Sequence, residues 1–246
     1  MKVAACQTAE ILGDVDAAVR VVRDFATRTD ADLLLFPECF LQGYLVTEEH
    51  VRAAAAELAS PGFGAVLARL ADLRPMIVLG VIERAGDRFH NTAVVIKHGQ
   101  VLGRYRKTFL TAGESIFTAG DDYPVFDCHG VRFGINICYD TQFREAAAAV
   151  AAGGARLLLV PAQNMLRRDS ARHWEHRHHP IRARRARETG LWLISADVTG
   201  ERPPDRLALG PTSVIDPAGR LVAHVPTGTT GLVTADLTPG PGTAGR

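Results

Sequence analysis

Lysine is scarce in this 246-residue chain: of 28 basic residues only Lys2, Lys97 and Lys107 are lysine, and the rest are arginine. Where the chain needs only a positive charge it uses arginine, so a lysine inside a motif carries more information than usual. Charge imbalance is lacking too. The formal net charge of +1 gives no overall pull toward nucleic acid or an anionic membrane, and leaves a small molecule as the expected partner. No apolar run approaches the roughly 20 residues needed to cross a bilayer. The opening MKVAACQTAE has neither a signal-peptide core nor transit-peptide character, so the expected location is the cytoplasm. Cysteine is sparse and unpatterned. Cys6, Cys39, Cys128 and Cys138 show no C-x-x-C spacing and no disulfide framework, so in a reducing compartment each is either a core residue or a reactive thiol. Finally, no G-x-G-x-x-G follows a strand and opens a helix, which removes the dinucleotide-binding fingerprint.

What is present is an alternation of strand and helix patterns, with 47% hydrophobic residues and so enough apolar side chain for a large core. Lys2 to Thr8 reads as a buried strand. Asp14 then offers a helix N-cap, and Val15, Ala18, Val19, Val22, Phe25 and Ala26 share one helical face. DLLLFPE, from Asp32 to Glu38, is a short apolar burst stopped by Pro37, as in a parallel strand covered on both faces. Helical patterns follow around 48–59 and 62–73. MIVLGVIE, FHNTAVVIKHG and GQVLGRY then read as three antiparallel strands, the first two joined through Ala-Gly-Asp. In the second half VRFGINICYD reads as a strand, FREAAAAVAAGG as a helix ended by glycine, and ARLLLVPA as another strand stopped by proline. The likeness of DLLLFPE and RLLLVPA suggests two βαβ-like halves. Residues 171–190 read as a charged helix broken or started at Pro180, and LWLISADV, PTSVID, RLVAHV and TGLVTADL supply closing strands. The expectation is an α/β protein with mixed sheets and outer helices, one domain over residues 1–237, and a tail at 238–246 with nothing to pack.

The segment GINICYDTQF places Cys138 at the end of an apolar run. A helix expected to start near Thr141 would put the sulfur near its N-terminus, where the dipole favours a thiolate. Taken alone, such a cysteine reads more readily as a small core residue, and partners must decide. Glu38 ends a strand where an uncompensated acid is costly, and Lys107 follows a strand in GRYRKTFL. LLLFPECFLQGY, YRKTFL followed by Gly-Glu, and GINICYD, in that order, resemble the nitrilase superfamily, the carbon-nitrogen hydrolases, from Val3 to about Leu237. The resemblance implies a four-layer α-β-β-α sandwich of two mixed sheets. It implies Glu38 as general base, Lys107 as cationic stabiliser, Cys138 as nucleophile, and Glu114 of TAGESIF as the group that orients Lys107. No cofactor is implied, and a homodimer is.

The implied reaction is hydrolysis of a non-peptide C–N bond of a small amide, with ammonia released through a cysteine thioester. The alternatives are an N-carbamoyl hydrolase, an acyltransferase passing the same thioester to an amine, and, from another class, a non-catalytic binding protein on the same fold. Tyr139-Asp140 after the nucleophile resembles the amidase and carbamoylase branches, whereas nitrilases carry Trp-Glu. The chain departs from the family pattern at Phe109, where histidine is usual, at Arg144, where proline is, and at Thr189, where asparagine is common. Tyr44, Phe109, Tyr139, Phe143, Gln163, Asn164 and Trp174 are the expected pocket wall, from their nearness to the motif ends. His173, His176 and His179 recur at three-residue spacing, but eight arginines within residues 167–187 would repel a cation, so no metal site is expected. The family resemblance implies instead that this segment is a helix at the dimer interface near the pocket, with Trp174 packing there.

Overall fold

The computed structural model describes residues 1–237, and the expected tail at 238–246 lies outside the described residues. The chain opens with β1 (Lys2–Ala9) and α1 (Val15–Thr27), whose N-cap Asp14 accepts a hydrogen bond from the Ala17 N–H at 2.8 Å. β2 (Leu33–Leu35) is short because the chain turns at Pro37, which has no N–H to give to a neighbouring strand. Then come α2 (Glu48–Ala54), α3 (Pro61–Ala68), and the antiparallel β3 (Met76–Ala85), β4 (Arg88–Lys97) and β5 (Gln100–Arg106).

The second half runs β6 (Phe126–Cys128), β7 (Val131–Ile135), a 3-10 turn over Cys138–Gln142, α4 (Arg144–Ala152) and β8 (Leu157–Pro161). After β9 (Leu166–Arg167), α5 (Arg168–Glu175) and α6 (His178–Thr189), the chain closes with β10 (Trp192–Arg202), β11 (Arg206–Leu209), β12 (Ser213–Ile215), β13 (Leu221–His224) and β14 (Gly231–Asp236). Among the described residues no helix is long and apolar enough to cross a membrane.

The strands form two mixed sheets joined at β10. The first has the order β5-β4-β3-β2-β1, parallel from β3 to β1, with β14 antiparallel to β1. The second runs β6-β7-β8-β10-β12-β13, with β7, β8 and β10 parallel. Residues 192–196 of β10 pair with β8, and residues 197–199 pair with β1. Period-2 alternation then sorts the side chains into layers. Val3, Ala5, Leu33 and Leu35 of the first sheet share a core with Leu157, Leu159, Ile194 and Ala196 of the second. Their neighbours face outward: Ala4, Cys6 and Leu34 pack on Val19, Val22 and Phe63 of α1 and α3, while Leu158, Val160 and Leu193 pack on Val150, Ala183 and Ala186 of α4 and α6. The result is the α-β-β-α sandwich. Its parallel strands are apolar on both faces because both faces are covered.

Three local expectations are corrected. The strand read through Cys138 ends at Ile135, and the helix read from Thr141 begins at Arg144, so the cysteine opens a tight 3-10 turn between them. The helix read over 171–190 is two helices that part at His176 and Arg177, ahead of Pro180. Pro180 lies in the first turn of α6, where a missing N–H costs no helix bond. This break puts His173 and His179 on different helices with His176 between them, so the series at three-residue spacing does not share one helix. The third correction concerns β6, β9 and β11, strands of two to four residues that were not read at all.

Candidate active site

The end of β2 delivers Glu38 into the interior, where it is 1% exposed. The chain around it passes so close to β3 that a Cβ on Gly80 would lie 2.2 Å from the Pro37 carbonyl oxygen and 2.4 Å from the Cys39 nitrogen. Only glycine admits that approach. Cys39 itself takes a left-handed φ of 47°, a conformation that costs a non-glycine residue about 1–3 kcal/mol. Glu38 Oε1 accepts hydrogen bonds from Lys107 Nζ at 2.7 Å and Asn91 Nδ2 at 2.7 Å, and Oε2 accepts the Gln163 N–H at 3.1 Å.

Lys107 leaves β5 with its backbone N–H on the Asn91 carbonyl at 2.8 Å, and its ammonium lies between Glu38 and Glu114, the latter at 2.9 Å. Asn91 closes the cluster with a second bond to Glu114 Oε1 at 3.0 Å. The electrostatics divide the two acids. Burial pushes Glu38 up to about 7 against the pull of Lys107, with the Glu114 charge adding to the rise. Burial also acts on Glu114, but Lys107 and the Thr111 N–H outweigh it and hold that carboxyl below its ordinary value. Burial likewise works against the charge on Lys107, yet the surrounding anions, Glu38 foremost, keep its pKa well above that of a free lysine. Two acids in one cluster, one near neutrality and one firmly ionised, is the separation that acid–base chemistry uses.

Cys138 opens the 3-10 turn with φ 43°. Its carbonyl accepts from Thr141 Oγ1 at 2.7 Å, and its sulfur stands 4.0 Å from Asn164 Oδ1. The thiolate favoured by a helix N-terminus is not the resting state. Burial, reinforced by the Glu38 charge, pushes the thiol well above its ordinary pKa, and α4 begins too far along the chain to offset that. Asp140 ties the cysteine turn to the lysine segment: its carboxylate accepts from the N–H groups of Ile137 (2.7 Å) and Phe109 (2.8 Å) and from the Tyr105 hydroxyl (2.7 Å).

These groups adjoin a cavity of about 370 Å³ lined by Lys107 and Cys138 together with Tyr44, Tyr139, Gln163, Asn164 and Trp174. Among the described residues, Cys138 is the one cysteine of the four that lines it. Phe109 and Phe143, expected in the wall, are not there. They stack on each other at 3.8 Å and 7°, with Tyr139 edge-on to Phe143 at 5.3 Å, because both flank the Asp140 turn and not its open side. Phe109 thus fills the place expected for a histidine with a packing contact.

Sequence reasoning missed Asn91, Asp197, Arg182, His178 and Arg206. Asn91 and Asp197 had a readable signal, since each interrupts an apolar strand with a polar side chain that must find partners. Asp197, pushed up to about 6 by burial against the counter-charge of Arg182, accepts the Asn164 backbone N–H at 3.0 Å and binds its side-chain amide as well. Arg182 donates to Ser195 Oγ at 2.8 Å and the Pro211 carbonyl at 2.7 Å. Its burial was hidden in a run of arginines. His178 lines the cavity as a neutral ring, held at about 3 by burial and the Arg182 charge.

Comparison with known proteins agrees with this architecture. An amidase from Nesterenkonia sp. AN1, in a mutant showing Michael addition of acrylamide at the active-site cysteine, superposes with a TM-score of 0.83 at 26% identity, covering 97% of this chain and 93% of that one. A hydrolase in the pqqF 5′ region of Pseudomonas protegens is 36% identical over 200 residues, 79% of this chain and 68% of the relative. An (R)-stereoselective amidase of Pseudomonas sp. is 31% identical over 198 residues, 78% and 68% of the two chains. Residues 2–244 match the family described as carbon-nitrogen hydrolase, and with the sandwich fold and these amidase relatives the chain belongs to that family, the nitrilase superfamily, as an amidase-like hydrolase.

Proposed function

We propose that the chain hydrolyses a small carboxamide through a thioester on Cys138, using Glu38, Lys107 and Glu114 and no cofactor. The observation that carries this reading is the buried Glu38–Lys107–Glu114 cluster beside a cavity whose wall holds the cysteine. Amide carbonyls are poor electrophiles, so attack needs a thiolate made at the moment of reaction, a cation where the oxyanion forms, and a proton for the departing nitrogen. In the first step the Cys138 sulfur bonds to the carbonyl carbon and its proton passes to Glu38. A carboxylate near 7 is matched to that transfer at neutral pH. The negative oxygen is held by the Lys107 ammonium and by the backbone N–H of Tyr139, which lies in the first turn of the 3-10 helix, where N–H groups lack an acceptor inside the turn.

The intermediate collapses when Glu38 returns the proton to nitrogen, the C–N bond breaks and ammonia leaves. Glu38 then takes a proton from water, the hydroxide adds to the thioester, and as the C–S bond breaks to release the carboxylic acid Glu38 returns that proton to the sulfur, restoring both the thiol and the carboxylate. Glu114 stays ionised and fixes Lys107 throughout. The active-site cysteine of the Nesterenkonia amidase, which takes an acrylamide adduct, supports assigning the covalent step to Cys138.

The test is a panel of primary amides, N-carbamoyl amino acids and nitriles, offered to the wild type and to Cys138→Ala, with ammonia and carbon dioxide measured. Primary amides are expected to release ammonia alone, and mass spectrometry to find the acyl group on Cys138. Turnover persisting in Cys138→Ala overturns the thioester mechanism.

A further inference from the structure

Asn91 lies within β4 with 1% exposure, between the buried His90 and Thr92. A buried side-chain amide is costly unless its donors find partners, and backbone carbonyls are the commonest ones. Here both donors go to acids. The one nitrogen, Nδ2, donates to Glu38 Oε1 at 2.7 Å and to Glu114 Oε1 at 3.0 Å, the same two oxygens that accept from Lys107 Nζ at 2.7 and 2.9 Å. The four groups close a ring of hydrogen bonds in which donor and carboxylate alternate. The ring also fixes the amide's orientation, because a flipped amide would set Oδ1 against two carboxylate oxygens. Oδ1 accepts instead from the thiol of Cys39, the residue after Glu38, at 3.4 Å, and the Asn91 backbone carbonyl accepts the Lys107 N–H at 2.8 Å.

A carboxylate oxygen offers two lone pairs, and Glu38 Oε1 has both engaged, by Lys107 and by Asn91. The proton is therefore left to Oε2, whose partner is the N–H of the cavity-lining Gln163 at 3.1 Å. The titratable groups facing Glu38 come from several segments: Cys39 and Tyr44 after β2, Lys107 after β5, Glu114 in the 3-10 turn Ala112–Glu114, and Cys138. Lys107 is the cation among them. Burial raises the Glu38 carboxyl, and the Asn91 bond works against that rise together with Lys107. Asn91 thus favours ionised acids without adding a charge to the site.

We propose that Asn91 is a positioning residue for the proton transfer: with Lys107 it clamps Oε1 of Glu38 and leaves Oε2 to do the exchange. Oε2 takes the Cys138 thiol proton as the S–C bond forms, and gives it to nitrogen as the C–N bond breaks. The proposal rests on the amide-hydrolase reading above and deepens it.

The test replaces Asn91 with leucine, which is close in size and has no donor, and with aspartate, which keeps the shape and puts a third acid in the ring. The acid side of the kcat/KM profile on a primary amide is expected to move up by about one pH unit in Asn91→Leu, as for one lost hydrogen bond to a charged group. In Asn91→Asp it moves further. At pH 7 the Asn91→Leu value falls about fivefold, and much of it returns above the shifted limb. A merely structural amide lowers kcat/KM by one factor at every pH and leaves the limb in place. That result, with circular dichroism showing both variants folded, overturns the proposal. Infrared difference titration of the substrate-free protein reads the same proton, since the carboxylic C=O stretch that vanishes in Glu38→Gln follows Glu38 whether or not an amide is cleaved. A wild type without turnover, whose Glu38 stretch titrates at higher pH in both variants, sinks hydrolysis and leaves the role of Asn91 standing. A stretch that titrates at the wild-type pH in the variants sinks that role even where amides are cleaved. If Asn91→Leu does not fold, the isosteric Asn91→Asp carries both readouts.

Discussion

Replacing Lys107 with methionine removes a charge while keeping most of the side chain's volume, and it leaves Glu38 and Glu114 facing each other across Asn91. Each loses a bond of 2.7 or 2.9 Å to the ammonium inside a site that water barely reaches. Breaking a buried ion pair by removing one partner costs about 3–5 kcal/mol, which for a chain of this size lowers Tm by about 6–20 °C. The acids have an escape, which is to bind protons. Lys107 lowers the pKa of both, so its loss raises both, Glu38 from its present value of about 7. A carboxyl whose folded pKa lies above its unfolded value holds its full stabilisation below the unfolded pKa and loses it as pH rises through the folded one, by about 1.4 kcal/mol per proton and pH unit. The deficit of Lys107→Met is therefore small near pH 5, where the acids are protonated, and grows steadily toward pH 9. Thermal denaturation of both proteins at pH 5, 7 and 9, followed by circular dichroism, measures the gap. A gap that stays constant across this range refutes the view that Lys107 compensates two buried carboxylates.

Other outcomes follow from the same geometry. Because Glu38 must be ionised to take the thiol proton and sits at about 7, kcat/KM on a primary amide is expected to fall about tenfold per pH unit below that value; a pH–rate profile flat down to pH 5 rules Glu38 out as the base. Gly80→Ala drives a methyl into the Pro37 carbonyl and the Cys39 nitrogen, which is expected to cost about 1–3 kcal/mol and to lower kcat by displacing Glu38. A lowered Tm with unchanged kcat shows that the Gly80 contact does not position the carboxylate.

The sequence was legible wherever periodicity and punctuation agree. Buried parallel strands ended by proline, Asp14 as a cap, and the hairpins after Met76 all appear in the structure, because each depends on residues close together in the chain. The ordered motifs around Glu38, Lys107 and Cys138 pointed to one region, and the structure gathers Glu38, Lys107 and Glu114 into direct hydrogen-bond contact. Long-range partnerships were not legible. Asn91 joins two acids 53 and 23 residues away, Arg182 meets Asp197 through the packing of α6 on β10, and Arg206 acquires its setting from strands too short to show a period. The electrostatic setting of Cys138 was not legible either: burial and the Glu38 charge push its thiol above its ordinary value, and the turn visible in the sequence does not show that Glu38 lies near it.

The pairing of β1 with β14 has a further consequence. Residues 2–7 hydrogen-bond with residues 231–236, and the Met1 carbonyl accepts the Leu237 N–H at 2.8 Å. During synthesis the opening strand must wait for a neighbour made more than two hundred residues later, so one flank of the first sheet stays unzipped while the intervening chain is made. A loop of that length closes slowly, and an unpaired apolar strand is exposed to aggregation meanwhile. Glu38 and Lys107 emerge early in translation, yet the sheet that carries them acquires its last strand only once residues 231–236 have been made.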